Sequence, residues 1–273
     1  MARVNKNERI GAMIKILTDR PNHIFNLQEF SELFCVSKST ISEDIVSIRN
    51  IIDRFSLGKI ETVTGAAGGV RYFPKPNWSM VIPIIEKICE ILSDPGRILP
   101  GGFIYMSDIL YTPSKIGILG EVLAHEFIDQ RPDFVITVET KGIPIAMVTA
   151  RALNCPMVIA RRDSKATEGS VVTINYISAS SRRIQTMSLS RRAVKEGQRG
   201  LIVDDFMKGG GTAKGLSELL REFDIDVVGI GVVVSTCEPS KKMVSGYKSI
   251  ITLKEIDHET GQAIIKPADW LYK

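Results

Sequence analysis

No apolar run in the 273 residues approaches the roughly 20 that a bilayer-spanning helix needs, so a membrane protein is not expected. Met1–Asp19 lacks the charged-then-apolar pattern of a signal peptide, and a cytoplasmic protein is expected. Cysteine is scarce. Cys35, Cys89, Cys155 and Cys237 lie far apart without paired spacing, which argues against a zinc site or disulfides and for small core hydrophobes in a reducing compartment. The three histidines, His23, His125 and His258, form no constellation, so surface or cap roles are expected of them. No catalytic residues, no protein-held metal and no required cofactor are therefore expected. What the chain does have is a 44% hydrophobic composition without an excess of proline or glycine, enough for a real core in one large or two modest domains.

The most informative stretch is Leu201-Ile202-Val203-Asp204-Asp205-Phe206-Met207-Lys208-Gly209-Gly210-Gly211-Thr212. It reads as a buried strand whose carboxyl end carries two carboxylates, then a glycine loop that exposes its amides where a helix begins. Helix N-termini bind anions, and strand carboxyl ends in open α/β sheets hold ligands. Carboxylates do not bind phosphate, but they accept hydrogen bonds from sugar hydroxyls or hold a divalent cation. The arrangement is a ribose-phosphate cradle. It resembles the signature of type I phosphoribosyltransferases, which bind phosphoribosyl pyrophosphate (PRPP). The resemblance implies that Asp204 and Asp205 face the ribose hydroxyls, and that Gly209, Gly210, Gly211 and Thr212 face the 5′-phosphate. The enzymes usually have Thr or Ser where this chain has Gly209, and a small residue where it has Lys208, which is counted here with the effector-binding set.

A second loop follows the buried run Phe134–Val138. Glu139-Thr140-Lys141-Gly142 leads into Ile143-Pro144, the start of a helix through about Leu153, where proline fits the first turn. By the same resemblance, Thr140, Lys141 and Gly142 would hold the pyrophosphate of PRPP.

The first seventy-odd residues read differently. Ile10, Met13, Ile14 and Leu17 recur at helical spacing. Asn26 with Glu29 makes a capping-box-like start, and Leu27, Phe30, Leu33 and Phe34 carry an apolar stripe. After the turn Cys35-Val36-Ser37, Ile41, Ile45, Ile48, Ile52 and Phe55 form one continuous face of a third helix. Lys59–Thr64 and Val70–Phe73 alternate as strands around Gly65-Ala66-Ala67-Gly68-Gly69, a wing-like hairpin. A winged helix-turn-helix places its third helix in the major groove. Ser39, Thr40 and Ser42 are candidates for phosphate or base contacts, and Lys38, Arg49, Lys59 and Arg71 for phosphate contacts. A small helical unit used for dimerisation is the alternative.

Residues 161–199 hold nine Lys or Arg against three acids, whereas residues 1–74 hold ten against eight. Val171–Tyr176 and Ile184–Leu189 alternate as hairpin strands around a Ser178–Ser181 tip, where phosphoribosyltransferases have a flexible flap. This basic segment would gather a polyanionic ligand, extend a DNA surface, or simply be a solvated face.

Taken together, several segments resemble the purine operon regulators of Gram-positive bacteria (PurR), over nearly the whole chain. They are Lys38-Ser39-Thr40-Ile41-Ser42-Glu43-Asp44, Thr64–Val70, Arg97-Ile98-Leu99-Pro100-Gly101-Gly102, Glu139–Pro144, Thr167-Glu168-Gly169-Ser170-Val171 and Asp204–Lys208. Relatives commonly have Tyr at Phe103. The resemblance implies an α/β protein with an N-terminal winged helix-turn-helix DNA-binding domain (1–74). A linker helix and a phosphoribosyltransferase-like parallel-sheet effector domain with a flap would follow (75–273). It also implies a homodimer that regulates purine-synthesis genes, with operator DNA and PRPP as partners, Mg²⁺ as an optional companion of PRPP, and no enzymatic activity. An active purine phosphoribosyltransferase with an accessory helix-turn-helix domain is the competing expectation.

Overall fold

The computed structural model describes residues 4–65, 68–162, 169–177, 184–257 and 262–272. Ala66 and Ala67 of the wing turn, Thr167-Glu168, the Ser178–Ser181 tip, Lys165, Arg182, Arg183 and His258 lie outside the described residues. The chain forms two compact units, Met1–Asn77 with Arg151–Asn154, and Trp78–Ala150 with Cys155–Lys273.

In the first unit, α1 (Lys6–Asp19), α2 (Leu27–Phe34) and α3 (Lys38–Arg54) precede the antiparallel pair β1 (Lys59–Val63) and β2 (Gly69–Phe73). Asn5 with Glu8 and Asn26 with Glu29 form full capping boxes, and the Ser37 hydroxyl accepts from the Thr40 amide to open α3. Met13, Leu17, Phe25, Phe30, Ile41, Ile45, Ile48, Ile52, Ile60 and Val70 make the core. Two expected core residues are exposed instead. Phe55 lies one residue past the end of α3, and Leu33 is rotated away from the stripe that Leu27, Phe30 and Phe34 form on the short α2.

The second unit begins with α4 (Trp78–Leu92), the two-residue strands β3 (Ile98–Leu99) and β4 (Phe103–Ile104), α5 (Ser107–Leu110) and α6 (Pro113–Phe127). Then come β5 (Phe134–Val138), α7 (Gly142–Leu153), β6 (Met157–Ala160), the hairpin β7 (Val171–Ile177) and β8 (Ile184–Ser190), and β9 (Arg199–Met207). The chain ends with α8 (Gly211–Arg221), β10 (Asp226–Thr236), β11 (Lys248–Ile256) and β12 (Ala263–Pro267). The main sheet has the order β12-β11-β10-β9-β5-β6, parallel throughout except at β11–β12.

That order creates the site. From β5 the chain crosses through α7 to β6 on one side, and from β9 through α8 to β10 on the other. The β5–β9 gap is therefore a topological switch point, where ligands sit in such sheets. The two strands pair only as far as Ile136↔Ile202, and beyond that their carboxyl ends part. The flap strands form their own hairpin, from Val171↔Ser190 to Ile177↔Ile184. The hairpin is docked on α8: Tyr176 is buried, and a Cβ on Gly215 would come within 2.9 Å of its ring.

The expectation that all four cysteines are core hydrophobes fails for two. Cys35 is exposed at the left-handed turn that ends α2, and Cys237 is exposed just past β10. Burial pushes the thiols of Cys89 and Cys155 up to about 12, which keeps them protonated and inert.

A cleft at the switch point and the winged surface

A cleft of about 780 Å³ opens at the switch point. Its lining brings together Thr140, Lys141 and Gly142 from the β5–α7 turn with Asp204, Asp205, Lys208, Gly209, Gly210, Gly211 and Thr212. Asp204 and Asp205 lie in the second half of β9, which runs on to Met207.

Each loop has a local reason for its shape. Gly210 precedes α8 at φ 80, a conformation that disfavours any side chain, and no side chain caps that helix. The first α8 amides are thus left to an incoming anion. Gly142 opens α7 where a Cβ would lie 2.7 Å from the Asp204 carboxylate and collide with the Thr137 hydroxyl. Only glycine lets this turn close on β9.

The electrostatics are unsettled without a ligand. The Asp205 amide donates to Asp204 Oδ1 at 2.9 Å. Burial, followed by the neighbouring Asp205 carboxylate, holds Asp204 well above the usual carboxylate range. Burial likewise raises Asp205, against the pull of Lys141. Two adjacent, partly enclosed carboxylates call for hydroxyl donors or a cation. Among the described residues no cluster of three His, Cys, Asp or Glu could hold a metal by itself. The pair suits Mg²⁺ that keeps waters and phosphate oxygens as its other ligands, which is how this ion is commonly held.

Lys208 lines the cleft, and its ammonium donates to the Gly101 carbonyl at 2.6 Å, tying the glycine loop to the β3–β4 hairpin. It also stands 5.9 Å from the Phe103 ring centre, and Phe103 packs on Phe206 at 5.8 Å to wall the cleft with apolar surface. Among the polar lining residues, Glu139, Arg162 and Gln185 escaped the sequence reading as site residues. Arg162 follows β6, and Gln185 reaches in from the flap, where its side chain accepts from the Tyr176 hydroxyl at 2.7 Å. Arg162 was findable, because it sits at the carboxyl end of a sheet strand. Gln185 was not, because only the docking of the flap on α8 turns it inward.

In the first unit, Lys38, Ser39 and Ser42 are exposed on α3, and Thr40 is partly so. The remaining cations are engaged within the unit. Arg49 donates to the Thr62 hydroxyl at 2.9 Å and to the Ile60 carbonyl at 3.4 Å, fastening α3 to β1. Lys59 and Arg71 both bind Glu61 at 2.8 Å, and these contacts lower the pKa of that carboxylate. Of the four candidate phosphate contacts, Lys38 alone has no side-chain partner among the described residues other than solvent-facing surface.

Residues 5–74 match the family described as "Bacterial purine repressor, N-terminal", and residues 109–270 match the "Phosphoribosyl transferase domain" family. The second unit accordingly shares the fold of adenine phosphoribosyltransferase from Thermoanaerobacter pseudethanolicus, with a TM-score of 0.54 and 20% identity over 61% of this chain and 98% of that one. The chain is a purine-repressor-type domain joined to a phosphoribosyltransferase-type domain. It is 42% identical to the purine biosynthesis transcriptional activator PurR of Lactococcus lactis subsp. lactis, over 93% of this chain and 94% of the relative. It is also 42% identical to the purine biosynthesis transcriptional repressor PurR of Bacillus subtilis, over 97% and 93%. The chain belongs to this family of purine biosynthesis transcriptional regulators. A xanthine phosphoribosyltransferase of Lactococcus lactis subsp. cremoris is 30% identical over 55% of this chain.

Proposed function

We propose that the protein is a DNA-binding regulator of purine biosynthesis genes, a homodimer whose operator affinity is set by PRPP held without turnover. The observation that supports this best is the meeting of both anion loops and the Asp204-Asp205 pair in one cleft, in a chain whose other unit is a winged helix. In this reading Thr140, Lys141 and Gly142 take the pyrophosphate. Asp204 and Asp205 accept from the ribose hydroxyls, with Mg²⁺ as a companion of the polyphosphate. The glycine amides and Thr212 take the 5′-phosphate. The winged helix takes operator DNA.

Fluorescence anisotropy of a purine-gene promoter fragment tests it. The full chain should bind tightly, and PRPP with Mg²⁺ should release it. By linkage, DNA must weaken PRPP by the same factor that PRPP weakens DNA. Binding unaffected by PRPP at any concentration would refute the effector role.

The second reading, an active phosphoribosyltransferase, draws on the xanthine phosphoribosyltransferase relative. Gly209 in place of the enzymes' hydroxyl residue speaks against it. Incubation with PRPP and adenine, guanine, hypoxanthine or xanthine should yield no nucleotide, and steady product with any of them would overturn the regulator-only view.

Lys38 supplies a further expectation. As a phosphate contact, Lys38→Ala should weaken operator and random DNA alike and flatten the log–log salt dependence by about one unit. An unchanged slope would move the phosphate contacts elsewhere, with the basic 161–199 segment next in line.

A further inference from the structure

We infer that α3 reads operator sequence through an outward stripe, without a cation until Arg54 at its end, centred on Glu43, Val46 and Asn50. Ile41, Asp44, Ile45, Ile48 and Ile52 are buried on one side of α3. At 3.6 residues per turn the opposite side presents Ser39, Glu43, Val46 and Asn50 in line, all exposed. Val46 is 51% exposed, in a helix whose apolar residues otherwise pack inward through Ile52. Arg49, the one basic residue between Lys38 and Arg54, turns aside to Thr62 and Ile60. It holds α3 and the hairpin together as one reading surface.

From Ser39 to Asn50 the outward stripe has no cation and gains little from phosphates, which dominate affinity but carry no sequence information. Its chemistry matches base edges instead. An aliphatic group packs on the thymine methyl, an amide pairs with adenine N6 and N7, and a carboxylate accepts from cytosine N4. A carboxylate on a surface that meets a polyanion is unfavourable unless such a donor faces it. From residue 43 to residue 50 the helix rises about 10 Å, roughly three base-pair steps. The inference is therefore a contiguous core of three or four base pairs per recognition helix. It would contain a thymine against Val46, flanked on opposite sides by a cytosine against Glu43 and an adenine against Asn50.

This rests on the operator-binding reading above, and one experiment separates the two. Binding of the full chain is measured on a purine-gene promoter duplex in which each thymine is singly replaced by deoxyuridine, and each base pair by the other three. Wild type should lose about fourfold at one thymine, the worth of a single buried methyl. Val46→Ala should weaken the parent duplex by a similar factor and abolish that deoxyuridine effect. Asn50→Ala should relax discrimination at one neighbouring position by about 5- to 150-fold for a lost bidentate pair, and Glu43→Gln should relax it less at the other, since cytosine N4 offers a single donor. Random-DNA affinity should stay at the wild-type level in Val46→Ala and Asn50→Ala, which also reports that they are folded, and should rise in Glu43→Gln, which removes a negative charge facing the polyanion. Uniform weakening on every duplex, or a deoxyuridine penalty that survives Val46→Ala, would overturn the inference while leaving operator binding intact. Failure to bind any promoter duplex would remove both.

Discussion

Replacing both carboxylates, Asp204→Asn with Asp205→Asn, should lower PRPP affinity by at least about tenfold while leaving effector-free operator affinity at the wild-type level. Hydrogen bonds to charged acceptors are worth about 1.5–3 kcal/mol each, and the asparagines keep the shape of the site while removing the charge. The double variant should therefore hold promoter DNA through PRPP concentrations that release wild type. Titration calorimetry for PRPP and anisotropy for DNA read the two effects separately. A variant released at the wild-type concentration would place the effector elsewhere, and one that stays folded but loses DNA would give these carboxylates a coupling role. Stability should move the other way. Asp204 holds its proton more tightly folded than unfolded, because burial and Asp205 penalise its charge. Ionising it opposes folding, so unliganded stability declines as pH rises from the ordinary aspartate range, near about 3.9, through the raised value. Asp204→Asn alone should then melt higher than wild type at neutral pH, with the difference vanishing in acid.

The sequence carried the site well because its chemistry is local. Twelve consecutive residues contain the buried run, the carboxylates and the glycine loop, and the structure needs only β9 and the start of α8 to assemble them. The Thr140–Gly142 turn is a second local motif, and the parallel sheet brings it opposite. The helices and wing of the first unit were legible for the same reason, through caps and 3.6-residue spacing. Long-range pairing was less legible. β11 and β12 went unread because an antiparallel edge on a parallel sheet is fixed by its partner strand, and Lys248–Ile256 has no flanking signal that says so. The tie from Lys208 to the Gly101 carbonyl was illegible because the two lie 107 residues apart. For the candidate phosphate contacts Arg49, Lys59 and Arg71, sequence shows the charge and not the Thr62 or Glu61 that engages it.

A larger effect is expected at a buried ion pair of the first unit. Arg9 on α1 meets Asp44 on α3 in a two-pronged contact, Nε to Oδ2 at 2.7 Å and Nη2 to Oδ1 at 3.3 Å, and its Nη1 donates to the Val4 carbonyl at 3.0 Å. Both side chains are nearly sealed, 9% and 1% exposed. Asp44→Ala would leave a guanidinium buried without its counter-charge, a loss of about 3–5 kcal/mol. That is most of the stability expected of a unit this small. Hydrogen exchange at the Met13, Ile45 and Ile48 amides should accelerate sharply, and promoter binding should collapse. PRPP affinity, which belongs to the second unit, should hold. Replacing the pair together by apolar residues, Arg9→Met with Asp44→Leu, should recover most of the stability, because desolvating two charges offsets what their attraction returns. Recovery of DNA binding in the double variant would show that the pair serves folding alone. Persistent loss of DNA binding in a well-protected double variant would instead mean that the ion pair sets the angle at which α1 presents α3. Unchanged exchange in Asp44→Ala would show that the pair contributes little to either.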